Sequence, residues 1–151
     1  MANADILKLA DECVDLIESN LASGSEWEVE RNYEVKHNLA TFTESKIDVI
    51  PIGYTDEGPS TRKDNWFDAE ISIVVTKRYV EPGEVPDSWM DDLIDFVELN
   101  IFNVFSANEL EIDNSWWPQT INVVTLYDME QYTRHHTFWS EISVIFRKPR
   151  T

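Results

Sequence analysis

The segment Trp66–Arg78, WFDAEISIVVTKR, constrains the fold more than any other. Phe67, Ala69, Ile71, Ile73 and Val75 alternate with Asp68, Glu70, Ser72, Thr76 and Arg78. Side chains point to opposite faces along a strand, so the pattern predicts a long strand with one buried face. Val74 is the one apolar residue on the polar side, which implies partial cover there too. After a Pro/Gly loop the run SWMDDLIDFVELNIFNVF changes to helical spacing. Trp89, Leu93, Phe96, Val97, Ile101 and Val104 form a core stripe that Met90, Ile94, Phe102 and Phe105 widen. A helix this apolar is expected to be covered on more than one side, by the sheet and by the first helix or a neighbouring subunit. Pro82–Gly83 marks the turn before it and Asp87 reads as its N-cap. Asp91 and Asp92 sit in its first turn, where the macrodipole favours negative charge.

The rest of the chain supplies partners for this strand and helix. Asn3 reads as the cap of a helix reaching about Ala22 and stopped by Gly24, with Ile6, Leu9, Ala10, Cys13, Leu16, Ile17 and Leu21 facing the core. In EWEVERNYEVK, Trp27, Val29, Arg31, Tyr33 and Val35 oppose Glu26, Glu28, Glu30, Asn32 and Glu34, a strand with an acidic outer face. Arg31, on the apolar side, is expected to pair with a carboxylate or to snorkel to an edge. A third strand is expected around Lys46–Ile52, with Pro51 marking a sheet edge or a strand end. Gly53–Asn65 reads as a long polar loop, and Ser106–Gln119 as irregular. Trp116–Trp117–Pro118 either wedges into the core, the favoured reading, or protrudes as an anchor. Thr120–Tyr127 reads as a strand, and DMEQYTRHH as a connector with Met129 and Tyr132 turned inward. The last strand, Thr137–Lys148, copies the length and alternation of Trp66–Arg78, so the two are expected to be neighbours in one sheet. The expected class is α+β: a single domain over 1–151 in the order α-β-β-β-α-β-β, with a mostly antiparallel β-sheet and two α-helices packed on one face.

Charge bounds the partners. Asp and Glu number 29 against 12 Lys and Arg, a net charge of −17, and the acids are spread from Asp5 to Glu141 rather than gathered in a tail. Such a surface repels DNA and anionic membranes. Three readings follow: solubility alone, a surface that DNA passes without adhering, or a surface that imitates DNA. The single cysteine, Cys13, excludes an intramolecular disulfide and a multi-thiolate metal site, and reads as a small core residue in a reducing compartment. No apolar run approaches the roughly 20 residues of a membrane span, and MANADILKL lacks the features of a signal peptide. A soluble chain, cytoplasmic at synthesis, is expected.

Motifs for chemistry are scarce. GxGxxG, P-loop, HExxH, GxSxG and CxxC patterns do not occur, and four glycines give little room for a phosphate cradle. His135–His136 beside Asp128 and Glu130 is the one cluster of ligand-type residues, but adjacent histidines point apart. A weak Mg²⁺ or Ca²⁺ site between clustered acids stays open, with no spacing to specify it. The expectation is a non-enzyme without catalytic residues, cofactor or assigned metal.

Several segments together carry a resemblance: the opening helix NADILKLADECVDLIESNL, the strand KIDVIPIGY followed by a polar loop with Arg62, FDAEISIVVTKRY, SWMDDLIDFVELNIF, and the closing TLYDMEQYTRHHTFWSEISVIFRK. In this organisation the chain resembles the tail terminator, or tail completion, proteins of long-tailed bacteriophages. The resemblance spans nearly the whole chain and rests on patterns of a fold rather than on a catalytic signature. It implies a virion protein, made in the host cytoplasm, whose copies form a ring, usually of about six subunits. That ring ends tail-tube polymerisation and offers a surface to the head connector, so the implied partners are further copies, the tube protein and the head completion protein. DNA would pass through without specific binding. Candidate contact residues are Tyr54, Asp56, Glu57, Arg62, Lys63, Trp66, Glu81, Trp116 and Trp117. Candidates for an acidic lumen are Glu26, Glu28, Glu30, Asp68 and Glu70. Two alternatives stay open: an acidic DNA mimic that inhibits a nucleic-acid-binding host protein, and a related tail-tube or neck protein.

Overall fold

The computed structural model describes residues 4–22, 25–35, 44–56, 66–107 and 116–149. Helix α1 (Asp5–Asn20) precedes strands β1 (Trp27–Arg31), β2 (Ser45–Asp56) and β3 (Trp66–Arg78). Helix α2 (Asp87–Val97) runs on through a π-helical turn, Glu98–Phe102, into a last turn α3 (Asn103–Ala107). Strand β4 (Trp117–Thr125), the short helix α4 (Met129–His135) and strand β5 (Thr137–Pro149) complete the order. The five strands form one sheet in the spatial order β1-β2-β3-β5-β4. Only β1 and β2 run parallel; the other three pairs are antiparallel. This is the expected single small α+β arrangement.

The two long alternating segments are direct neighbours, paired from Trp66 opposite Pro149 to Arg78 opposite Thr137 without a register shift. Pairing in register puts their apolar residues on one face: Ala69, Ile71, Ile73 and Val75 beside Phe138, Ile142, Val144 and Phe146, all fully buried. Onto this face α1 lays Leu9, Ala10, Cys13 and Ile17, while α2 adds Met90, Leu93 and Val97. Trp27 on β1 stacks on Phe96 of α2 at 4.5 Å between ring centres, which ties the helix to the short edge strand. Cys13 lies within this core; burial pushes its thiol well above the ordinary value, and the charge of Glu12 adds to the effect. The thiolate is therefore disfavoured and the residue acts as a small apolar one.

Several boundaries differ from the pattern, each for a local reason. Strand β2 continues through Gly53–Asp56, which were expected in a loop, because these residues pair with Phe67–Glu70 across a register shift at Pro51/Gly53. Pro51 is therefore not at a strand end. It stands just past Val49, where β1 has already finished, in the alternation that directs its missing N–H toward the unpaired side. The α2 cap is Pro86, with no side-chain cap bond, and Asp87 lies inside the first turn. Asp128 caps α4 instead, accepting the Gln131 N–H at 3.0 Å. His136 closes α4 in the left-handed conformation, φ 50°, so this histidine ends a helix. Tyr132 is half-buried as expected, whereas Met129 is 62% exposed because it starts α4 at the surface. Arg31 reaches Asp11 of α1 at 3.2 Å, the pairing expected of a cation on the apolar side. The expected cap Asn3 and stop Gly24 lie outside the described residues.

Replacing Ile73, fully buried in the core on β3, with Ala is expected to destabilise the fold by about 2–5 kcal/mol through lost burial and the cavity left behind. Urea unfolding followed by circular dichroism measures this as a lower midpoint.

Candidate interaction surface

The face of the sheet away from α1 and α2 carries the polar halves of the alternating strands. Its centre is not a solvated acidic wall. Asp48, Thr76, Val74 and Ser72 are all buried there, with Ile50 beside them, so the cover implied by Val74 extends over several neighbours. The charges form cross-strand pairs. Arg147 of β5 grips Asp68 of β3 with two bonds, Nε to Oδ1 at 2.7 Å and Nη2 to Oδ2 at 2.9 Å. Ser143 Oγ donates to Glu70 at 2.9 Å, a diagonal contact, since Glu70 stands opposite Ile145 and Ser143 opposite Ser72. Between β1 and β2, Lys46 pairs with Glu30, and the Asn32 amide donates to both Asp48 at 2.6 Å and Glu30 at 3.0 Å. Burial alone would pull the Lys46 ammonium down; the bond to Glu30 and the charges of Glu30, Asp48 and Glu28 outweigh it and hold the group above its ordinary value. Its contribution to stability is thus present at neutral pH and is lost only as pH rises through the folded value.

The five lumen candidates fall into two groups. Asp68 and Glu70 share a shallow depression with Gly53, Tyr54 and Thr55 of β2 and Ile145 of β5. Glu28 and Glu30 of β1 are level with Thr76 and Val74 on β3, and Glu26 precedes the strand; the nearest of the three, Glu30, is six residues or about 20 Å along the strand from Asp68. Lys46, Lys77 and Arg147 lie among them. Glu26 receives Lys77 at 2.6 Å and Ser45 Oγ at 3.1 Å; the Lys77 hydrogen bond is the main reason its carboxyl titrates below the ordinary value. Glu28 is exposed.

The contact candidates are scattered as well. Tyr54 is 64% exposed near the end of the hairpin, its ring tilted by 51° against that of Phe67, and Glu81 is exposed in the turn after β3. Asp56 and Trp66 are hairpin backbone positions, opposite Phe67 and Pro149. Glu57, Arg62 and Lys63 lie outside the described residues. Trp116 is fully buried, which decides the Trp pair in favour of the core wedge and removes this residue as an anchor. Lys148 lies 4.8 Å from the Trp116 ring centre and holds Asp5 of α1 at 2.7 Å, so the wedge is pinned from two elements. Trp117 is half-buried beside Arg147 in the register.

One feature escaped the sequence reading. Ile94, Val97, Glu98, Phe102, Val123 and Leu126 line an apolar groove of about 270 Å³ between the π-helical turn and β4. Leu99 and Val124, both more than half exposed, lie in the same two elements. The excess width of the α2 stripe was the signal: Ile94 and Phe102 were more apolar surface than one sheet can cover. Among the described residues no group of three or more His, Cys, Asp or Glu is arranged to hold a metal ion, and no helix is long and apolar enough to cross a membrane. No protein-family model matches the chain, and no curated protein matches it.

Removing one member of the Arg147–Asp68 pair leaves a mostly buried charge unpaired, so Arg147→Met is expected to cost about 1–3 kcal/mol. Adding Asp68→Leu is expected to recover part of that loss in a double-mutant cycle. Lys77→Met is expected to raise the Glu26 pKa to the ordinary carboxylate range, read by NMR titration. A depressed carboxyl stabilises the fold above its unfolded value and loses that contribution as pH falls through the folded value, so the variant should lose less stability than wild type on acidification.

Proposed function

We propose that the chain is a structural, non-catalytic subunit that assembles head-to-tail into a ring, of the kind formed by phage tail terminator proteins at the head-proximal end of the tail tube. The observation that carries this reading is that, among the described residues, the sheet is open at two edges on opposite sides of one molecule. At one side β2 continues past the end of β1 and exposes Ile52 and Tyr54, with Tyr33 just after β1. At the other, β4 has a strand partner on one side only among the described residues and exposes Val124, whose side chain alternates away from Val123. Two different apolar edges on one subunit make a heterologous contact, and such contacts close into rings or continue as filaments. The fold order and the segment patterns resembling tail terminators supply the second support.

In this reading the acidity has a physical task. A lumen with excess carboxylate repels phosphate and lets DNA slide without adhering. Like charge also opposes association between free subunits, so rings form where salt screens it or where the tube provides a template. The tube protein and the head completion protein are the partners, the virion neck is the location, and no cofactor is required. The 57–65 segment, with Arg62 and Lys63, would supply contacts to the tube.

Light scattering at low and high salt, followed by negative-stain imaging, tests the reading. Rings of about six copies are expected at high salt. Ile52→Lys with Tyr54→Lys should leave a folded monomer that no longer forms them. Stacked tubes would favour a tube protein. A strict monomer that competes with DNA for a nuclease would sink the ring in favour of the DNA mimic.

A further inference from the structure

We infer that the groove between the π-helical turn and β4 docks a basic, amphipathic segment of another protein. The groove is apolar except for Glu98. It opens where α2 widens into its π turn, which supplies Glu98 and Phe102, and such turns recur at functional positions because the extra residue re-aims side chains. Its rim is acidic by helical spacing. Asp87 and Asp91 precede Ile94 by seven and three residues and Glu98 follows by four, so all three share its face, and all are exposed. No Lys or Arg occurs anywhere from Tyr79 to Thr133, the stretch that contains both walls of the groove.

Charge complementarity selects the occupant. An apolar stripe flanked by Lys or Arg would fill the groove with aliphatic side chains and set its cations against Asp91 and Glu98. A second copy fits poorly: it carries a net charge of −17, and its Arg31, Lys46, Lys77, Arg134, Arg147 and Lys148 are already held by carboxylates. The inference goes beyond ring formation and stands on this groove alone.

The probe is a fluorescein-labelled helical peptide of Leu and Lys with the Leu residues on one face, compared with its Leu/Glu counterpart, in fluorescence anisotropy against the intact chain. The Lys peptide should bind and the Glu peptide should not. Leu126→Ser, at a partly exposed position, and the double variant Asp91→Lys with Glu98→Lys should each weaken binding about tenfold. Asp15→Lys with Glu18→Lys, the same charge change on the outer face of α1, should weaken it less than about twofold. Equal weakening by the α1 variant would overturn the inference, reducing the effect to diffuse attraction by a polyanion. So would undiminished binding to Leu126→Ser. Light scattering that shows a wild-type dimer dissolved by Leu126→Ser, with peptide binding unchanged, would assign the groove to a second copy instead. Circular dichroism checks that each variant folds, and the Asp91/Glu98 variant, altered only at exposed positions, carries the test if Leu126→Ser does not.

Discussion

The structure depends on the pairing of β3 with β5. Two thirteen-residue strands distant in sequence meet without a register shift, and that alignment gathers Ala69, Ile71, Ile73 and Val75 with Phe138, Ile142, Val144 and Phe146 on the same side. A slip by one residue would turn Ile71, Ile73, Ile142 and Val144 away from α1 and α2. The same register places Asp68 directly against Arg147 and brings Ser143 within diagonal reach of Glu70 on the opposite face. Hydrophobic burial and polar matching therefore specify one alignment, which is why an acidic chain still selects a single sheet.

The charge economy of the molecule follows from this sheet. Most cations of the described residues sit between elements: Arg31 joins β1 to α1, Lys77 joins β3 to the start of β1, Lys148 joins β5 to α1. They act as internal fasteners. The carboxylates left over gather on the outer faces of the helices and turns, and α2 with its approach carries Glu81, Glu84, Asp87, Asp91, Asp92, Asp95 and Glu98 without one basic residue. Net charge alone pointed to acids on every face; the structure shows a partly neutralised sheet and strongly acidic helices.

Much of the fold was legible because its long strands and helices are periodic. Residue alternation gave β3, β5 and their faces, and helical spacing gave the buried sides of α1 and α2. What was not legible depended on neighbours. Gly53–Asp56 look like a loop in isolation and become strand because β3 continues far enough to pair with them. Pro51 is tolerated inside β2 only because β1 is short, a fact held in a different segment. The interaction surface was harder still. Asp68 and Glu26 look like free acids until Arg147 and Lys77, 79 and 51 residues away in sequence, reach them. The groove beside β4 arises from two elements meeting, so its width was visible in the α2 stripe but its location was not.

Pro51 has one more consequence. Beyond Val49 the outer side of β2 has no strand partner among the described residues, a row of backbone groups that another extended chain could copy. A proline there deletes one donor from that row, and the shift at Pro51/Gly53 breaks the spacing of the next. A foreign strand therefore finds no regular ladder to extend, and the edge is guarded against amyloid-like stacking while Ile52 and Tyr54 stay exposed. Side chains rather than backbone groups are what this edge presents, so its exposed apolar surface does not carry the hazard of sheet growth.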